Sequence, residues 1–258
     1  MPTFLFGEIV FGPIKSRRLG NSLGVNLLPE DYKYCTFDCL YCECGWTLKN
    51  TSKIKLPSEI EVENALEAKL QQAVEEGVKI DSITFAGNGE PTVHPQFAHI
   101  INNTLLLRNK YFPKAKVSVL SNATQIHRSE VVAALQSIEQ CILKLDAGLE
   151  ESFQIINRPL GGLTLNQLVD RLKVFDGNLI IQTLFLRGNI DGKIIDNTTE
   201  KEIEAWIKLL VELKPKLVMI YPIERDTPHP DLEKVSDKEL QSIASLVRNQ
   251  GISVEVYS

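Results

Sequence analysis

Cys35, Cys39 and Cys42 stand at a C-x₃-C-x₂-C spacing, with Tyr41 immediately before the third. Thiolates are soft ligands that select zinc, Cu(I) or iron–sulfur clusters. Three of them leave a four-coordinate site incomplete. A structural zinc ion needs a fourth Cys or His to close its tetrahedron, and Cys44 is close enough in sequence to be offered. A cubane cluster held by three thiolates instead keeps one iron open and can pass an electron to whatever binds there. Three unrelated buried thiols are the purely structural alternative, since free cysteine packs as a small hydrophobe.

The second group able to do chemistry is Gly87-Asn88-Gly89-Glu90-Pro91, directly after the apolar run that ends at Phe85-Ala86. Two glycines allow a ligand to approach the backbone closely and permit conformations closed to other residues. Glu90 then falls at the carboxyl end of a strand, where α/β folds place their ligands. A plain strand-to-helix turn with a surface glutamate fits the same residues.

These groups must be positioned by regular elements. Apolar, β-rich runs at 24–28, 82–86, 116–120, 141–145, 179–185, 217–221 and 252–256 alternate with helical patterns at about 58–76, 95–109, 129–139, 164–175, 199–213 and 237–249. Pro57-Ser58 and Val235-Ser236-Asp237 read as helix starts, Gly77 and Gly251 as helix stops. The alternation predicts parallel βαβ units and an α/β fold. The helix-facing side of such a sheet must be apolar, and side chains alternate along each strand. In Ile142-Leu143-Lys144-Leu145-Asp146 the leucines therefore go to the helices, and Lys144 and Asp146 point inward together. By the same reasoning Asn26, Thr84, Ser118, Asn122, Gln182 and Tyr221 point inward. Closed barrels fill this space with Val, Ile and Leu, and each unpaired polar group buried there costs about 1–3 kcal/mol. The interior is therefore expected to be open, wetted or filled by a ligand.

At 258 residues and 43% hydrophobic composition the chain can bury one large core, and α/β barrels of this size form one domain. No apolar run reaches 18 residues, so no membrane span is expected. The first residues lack a basic-then-apolar leader pattern, and a cytoplasmic location is expected. Five cysteines, four of them between positions 35 and 44, do not look like a secreted disulfide framework; in a reducing compartment they point to metal or catalysis. A net charge of −5 gives no global case for nucleic-acid binding. Lys15, Arg17 and Arg18 form a local basic group, either a phosphate contact or a solvated loop.

The cysteine spacing with its aromatic, followed after one further strand by Gly87–Pro91, resembles the radical S-adenosylmethionine superfamily, whose corresponding turn is Gly-Gly-Glu-Pro-like; one residue is inserted here. The resemblance implies a partial (β/α)₆ TIM-like barrel with parallel strands, in a single domain over 1–258: an N-terminal extension 1–23, a cluster loop 29–50 and a barrel 51–258. It implies a 4Fe–4S cluster on Cys35, Cys39 and Cys42 and S-adenosyl-L-methionine on the open iron. Oxygen sensitivity and an external one-electron reductant such as flavodoxin or ferredoxin follow from it. Reductive cleavage of the cofactor would yield a 5′-deoxyadenosyl radical that abstracts hydrogen from a substrate, the protein supplying position and exclusion of water. Tyr41 would pack on the adenine or cover the cluster. Backbone carbonyls around Gly87, Asn88, Gly89 and Glu90 would receive the cofactor's ammonium group, and Asn122 and Gln182 its ribose or carboxylate. Asp146 and Lys144 would bind cofactor or substrate, or form a structural ion pair. Lys144 is also a candidate Schiff-base amine, since burial lowers a lysine pKa.

The stretches 11–20, 144–148, 157–159, 181–184 and 220–225 look like a subgroup related to wyosine-type tRNA base-modifying enzymes, many of whose members have no assigned reaction. Only Cys44 and Cys141 remain for a second cluster, and there is no flavodoxin-like or added nucleic-acid-binding domain in the sequence. The substrate therefore stays open between an RNA base, a peptide or protein (as in an activase) and a small metabolite. RNA would need a basic rim, which Lys15, Arg17, Arg18, Arg158 and Arg225 could supply. A zinc-binding interaction module using Cys35, Cys39, Cys42 and Cys44, and a simple electron-transfer protein, are the competing classes. His94 serves a helix start or touches substrate; Cys141 belongs to the core; Cys44 lies beside the cluster, because a fourth ligand would close the reactive position.

Overall fold

The strand–helix alternation folds as a curved sheet wrapped by helices; the structure, a computed structural model, describes residues 4–48, 54–190 and 192–258. The expected boundary between cluster loop and barrel, at 50/51, lies outside the described residues. The strands are β1 (Val10–Ser16), β2 (Gly20–Val25), β3 (Ser82–Phe85), β4 (Lys116–Ser121), β5 (Gln140–Lys144), β6 (Ile180–Ile190), β7 (Lys193–Asp196), β8 (Leu217–Pro222), β9 (Leu232–Lys234) and β10 (Val254–Val256). Seven of them run parallel in the order β2-β3-β4-β5-β6-β8-β10. β1 pairs antiparallel with β2 at one edge, and β7 and β9 pair antiparallel with the far half of β6. The hydrogen-bonded path runs from β1 to β10 without closing, which makes this a partial TIM-like barrel.

The helices are α1 (Glu59–Glu75), α2 (Phe97–Tyr111), α3 (Ser129–Gln136), α4 (Glu150–Ile156), α5 (Leu165–Leu172), α6 (Glu200–Leu213) and α7 (Asp237–Arg248). Their starts are written in the sequence: Ser58 with Glu61, Thr164 with Gln167 and Ser236 with Glu239 form reciprocal capping boxes. Val62, Leu66, Leu70 and Ala73 put one stripe of α1 into the core. At about 1.5–3 kcal/mol for each large side chain buried, such stripes fix the helix against the sheet. The helix-facing strand residues meet them as expected: Ile83, Phe85, Val117, Val119, Cys141, Leu143 and Leu145 all belong to this core.

The inward face differs from expectation in two ways. At its lower end Ile142, Ile180 and Met219 form a separate apolar plug, with Leu19, Leu120, Leu217 and Tyr257 packed on it. Beside the plug, Thr84 and Ser118 satisfy one another through a chain of hydroxyls. Ser22 meets Thr84 at 2.6 Å, Thr84 meets Ser82 at 3.0 Å, Ser82 meets Ser118 at 2.8 Å, and Ser118 donates to Gln140 Oε1 at 2.6 Å. These polar residues need neither water nor ligand. Only the carboxyl-terminal end of the interior is left open for chemistry.

Candidate active site

The cysteine loop has no regular structure of its own and is fastened on two sides. Toward β3, Tyr34 N donates to Asn88 O (2.8 Å) and Glu90 N to Tyr34 O (3.1 Å). A Cβ on Gly89 would lie 1.9 Å from Tyr34 O, and its φ is +142°, so this seam requires glycine. Toward α4, Leu40 N donates to Ile156 O (3.0 Å), Asp38 N to Asn157 O (3.1 Å) and Leu160 N to Thr36 O (3.0 Å). Inside the loop Lys33 Nζ donates to Gly45 O (3.0 Å) and meets Asp38 Oδ1 at 3.3 Å, and Thr47 N donates to the same oxygen (2.8 Å).

The loop covers a cavity of about 260 Å³ at the carboxyl ends of the strands. Of the residues singled out from the sequence, Cys35, Cys39, Cys42, Tyr41, Gly87, Gly89, Glu90, Asn122, Lys144 and Gln182 all line it, and Cys44 does too. A larger groove of about 1010 Å³ runs between α6 and α7 on the outside of the barrel; it contains no cysteine and lies apart from the strand ends. The chemistry belongs to the smaller cavity.

Several lining groups are already engaged. Glu90 is buried, and its carboxylate accepts from Asn122 N (2.6 Å), Ser121 Oγ (2.8 Å), Thr92 N (3.1 Å) and Thr92 Oγ1 (2.5 Å), which ties the glycine turn to the end of β4. Asn88 turns its side chain away from the cavity, donating to Pro29 O (2.8 Å) and Phe6 O (2.9 Å) and accepting from Phe6 N (2.9 Å). Asn26 lies past the end of β2 and braces the same turn, accepting from Asn88 N (3.1 Å). Asn122 donates to Thr36 Oγ1 (2.9 Å) and lies 3.6 Å from Cys35 Sγ. Gln182 is buried, and its amide has no protein partner among the described residues.

Asp146, 1% exposed, is the hub behind the cavity wall. It accepts from the Tyr41 hydroxyl, from Asn157 Nδ2 (2.7 Å) and from Leu184 N (2.9 Å), and Lys144 Nζ lies 3.5 Å away. Burial pushes the Lys144 amine down, but Asp146, Tyr221 and Cys39 outweigh it and hold its pKa above the ordinary lysine value. Lys144 is an ammonium at neutral pH. Burial pushes the Cys35 thiol up and takes Cys39 to about 11, with Lys33 opposing the shift at Cys35 and Lys144 and Lys33 opposing it at Cys39. The Cys44 thiol beside it holds Cys42 below the ordinary thiol value.

Three residues that the sequence did not single out complete the site. Lys33 places a buried cation beside the three thiols. Thr36 orients Asn122. Asn157, at the end of α4, lies 3.6 Å from Cys39 Sγ. Only a short-range sequence signal pointed at Asn157, namely its place in the 157–159 stretch; the other two are visible only once the loop is folded. His94 serves the helix start: Gln96 N donates to its Nδ1 (3.1 Å), and its Nε2 lies 2.8 Å from Pro57 O.

Three thiols line one cavity, and the soft thiolate donors fit an iron–sulfur cluster, which takes each thiolate at a different iron. Cys44 stands beside Cys42, and its Sγ also lies 3.5 Å from Gly87 O.

A partial parallel barrel with a three-thiol loop over the carboxyl ends of its strands defines a class of iron–sulfur enzyme. The model described as the Radical SAM superfamily matches residues 30–210, and the chain belongs to that superfamily. Enzymes of that superfamily use a 4Fe–4S cluster and S-adenosylmethionine for radical chemistry. A UPF0026 protein of Methanocaldococcus jannaschii is 31% identical over 212 residues, covering 80% of this chain and 61% of that protein. A radical SAM methyltransferase from Sphaerobacter thermophilus has a similar fold (TM-score 0.66, 15% identity, 92% of this chain and 65% of that one). So does TYW1 solved with a lysine–pyruvate adduct bound (TM-score 0.63, 16% identity, 88% and 73%). The chain spans 35% to 61% of the length of several curated relatives it matches. Among the described residues no helix is long and apolar enough to cross a membrane.

Proposed function

We propose that Cys35, Cys39 and Cys42 hold the cluster, that Gly87, Gly89, Asn122 and Gln182 seat S-adenosylmethionine, and that hydrogen is abstracted from a small substrate beside them. The observation that supports this most is the lining of one 260 Å³ cavity by all of these residues. Held by these three thiolates, a cluster would supply the electron for reductive cleavage of S-adenosylmethionine. The chain's own residues place and shield it. Gly87 and Gly89 pack tightly on Asn26 and Tyr34, where a Cβ would not fit, and bring their backbone to the cavity; Glu90 and Asn88 hold that backbone in place from behind. Asn122, oriented by Thr36 and Thr124, and Gln182, without a protein partner, are the groups for ribose or carboxylate. Tyr41 presents its ring to the cavity while Asp146 fixes its hydroxyl. Lys144 acts as a fixed cation for a carboxylate: Asp146 keeps it protonated, whereas a Schiff base needs the free amine.

The rim supports a small substrate over an RNA. Arg17 pairs with Glu224 (3.2 Å), Arg225 with Glu43 (2.7 Å), and Arg158 lies over the Trp46 ring (5.2 Å). Phosphate backbones are held by neutralising cations, and two of the five on this rim, Arg17 and Arg225, already face carboxylates. The test is anaerobic purification and reconstitution. A brown protein with about four irons, releasing 5′-deoxyadenosine on reduction by dithionite or by flavodoxin or ferredoxin, is expected. A colourless protein that leaves S-adenosylmethionine intact would refute it.

A further inference from the structure

Beside the cluster cavity lies a second one of about 270 Å³, lined by the turn after β1, the end of β8 and Tyr257. The two share Arg18, Tyr41, Glu43, Leu184 and Tyr221, so a molecule in the second lies next to the first. Arg18 stands at the join. The turn that carries it is fixed by Ser16 Oγ, which accepts from Arg18 N and Leu19 N at 3.2 Å each. Its guanidinium lies over the Tyr221 ring, 4.7 Å from the centroid. Yet Nη1 is buried without a hydrogen-bond partner, and the side chain makes no ion pair or hydrogen bond among the described residues. Buried guanidinium nitrogens are normally satisfied, and an arginine stacked on an aromatic with its fork free is preorganised for a carboxylate or phosphate.

Its neighbours are occupied. Glu224 takes both Arg17 (3.2 Å) and Lys234 (2.6 Å), and Glu43 takes Arg225 (2.7 Å). Lys15 has no carboxylate partner among the described residues either, but it is exposed on β1. The recessed, uncommitted cation of this cavity is Arg18. We infer that Arg18 is the substrate-recognition residue, receiving the single anionic group, carboxylate or phosphate, of a small substrate that occupies the second cavity. The inference rests on the radical-enzyme reading above and names the substrate class for it.

Binding of simple anions to the reconstituted holoenzyme tests this without turnover. Calorimetric titration with inorganic phosphate and with malonate distinguishes the two anion chemistries, and the tighter of them identifies the group. Arg18→Gln should weaken that binding at least about tenfold, the effect of losing a charge-assisted hydrogen bond, and Arg17→Gln less than about twofold. S-Adenosylmethionine affinity, by equilibrium dialysis, should stay unchanged in Arg18→Gln. The inference is overturned if the wild type binds neither anion, if Arg17→Gln loses as much as Arg18→Gln, or if Arg18→Gln loses S-adenosylmethionine, which would place Arg18 in the cofactor seat. Tight binding of a 20-nucleotide RNA that falls with Arg17→Gln and Arg225→Gln would also overturn it. Circular dichroism of each variant confirms folding. Failure here leaves iron content and 5′-deoxyadenosine release untouched, so it is separable from failure of the radical-enzyme reading.

Discussion

Asp146→Asn probes the hub that ties the cysteine loop to the barrel. Its carboxylate faces donors alone: the Tyr41 hydroxyl, Asn157 Nδ2, Leu184 N and the Lys144 ammonium. An amide in its place turns an NH₂ toward one of them in either orientation and leaves Lys144 without a counter-charge. Removing one partner of a buried pair costs about 3–5 kcal/mol. Because the Lys144 side chain is 18% exposed, the low end applies, about 3 kcal/mol, which lowers Tm by about 6–12 °C in a chain of this size. Lys144→Met leaves Asp146 its three other donors but strands the more deeply buried charge, and should also cost about 3 kcal/mol. The double variant should then cost about 3 kcal/mol, well under the additive value of about 6, because no charge is left stranded. Urea unfolding followed by far-UV circular dichroism measures all three. Additivity within about 0.5 kcal/mol would refute the coupling, and with it the view that Asp146 keeps Lys144 charged.

Gly89→Ala should prevent the loop from docking on the glycine turn, since the new Cβ would overlap the Tyr34 carbonyl; iron incorporation on reconstitution should fall severalfold while the far-UV spectrum is retained. Burial lowers the His94 pKa against the pull of Pro57 O and Glu59. The unfolded chain therefore binds a proton first, and the neutral His94 contribution is complete above the ordinary histidine pKa of about 6.5 and lost as pH falls below it. His94→Gln should flatten that part of the stability–pH curve in equilibrium melts. Asn157→Ala removes an N–H aimed at Cys39 Sγ, so the midpoint potential of the reconstituted cluster, read by EPR titration, should shift negative; an unchanged or more positive potential would show that Asn157 only braces the loop.

What could be read from the sequence was what repeats or stands close together. Pro57-Ser58 and Val235-Ser236-Asp237 marked helix starts within a residue, and the apolar alternation along β4, β5 and β6 assigned Asn122, Lys144 and Gln182 to the inner face. The parts that escaped depend on partners far along the chain. β1, with Gly12-Pro13 in its middle, reads as loop until its pairing with β2 is known. β7 and β9 exist because β6 runs on to Ile190, past the expected end at 185, and offers an edge. α4 has no side-chain cap at Leu149 and so no start signal. Polarity at Thr84 and Ser118 predicted an open interior, but a chain of five neighbouring side chains consumes it. Asp146 and Asn88 likewise read as ligand-facing and fold as braces.

The claim at the centre of this account is that three thiols, not four, hold the metal, leaving one position for the cofactor. Metal content and EPR of Cys44→Ala beside Cys42→Ala test it most directly. Cys44→Ala should keep about four irons and a reduced-cluster signal that changes when S-adenosylmethionine is added, whereas Cys42→Ala should lose both. Equal loss in the two variants, or one zinc per chain in the wild type, would contradict it.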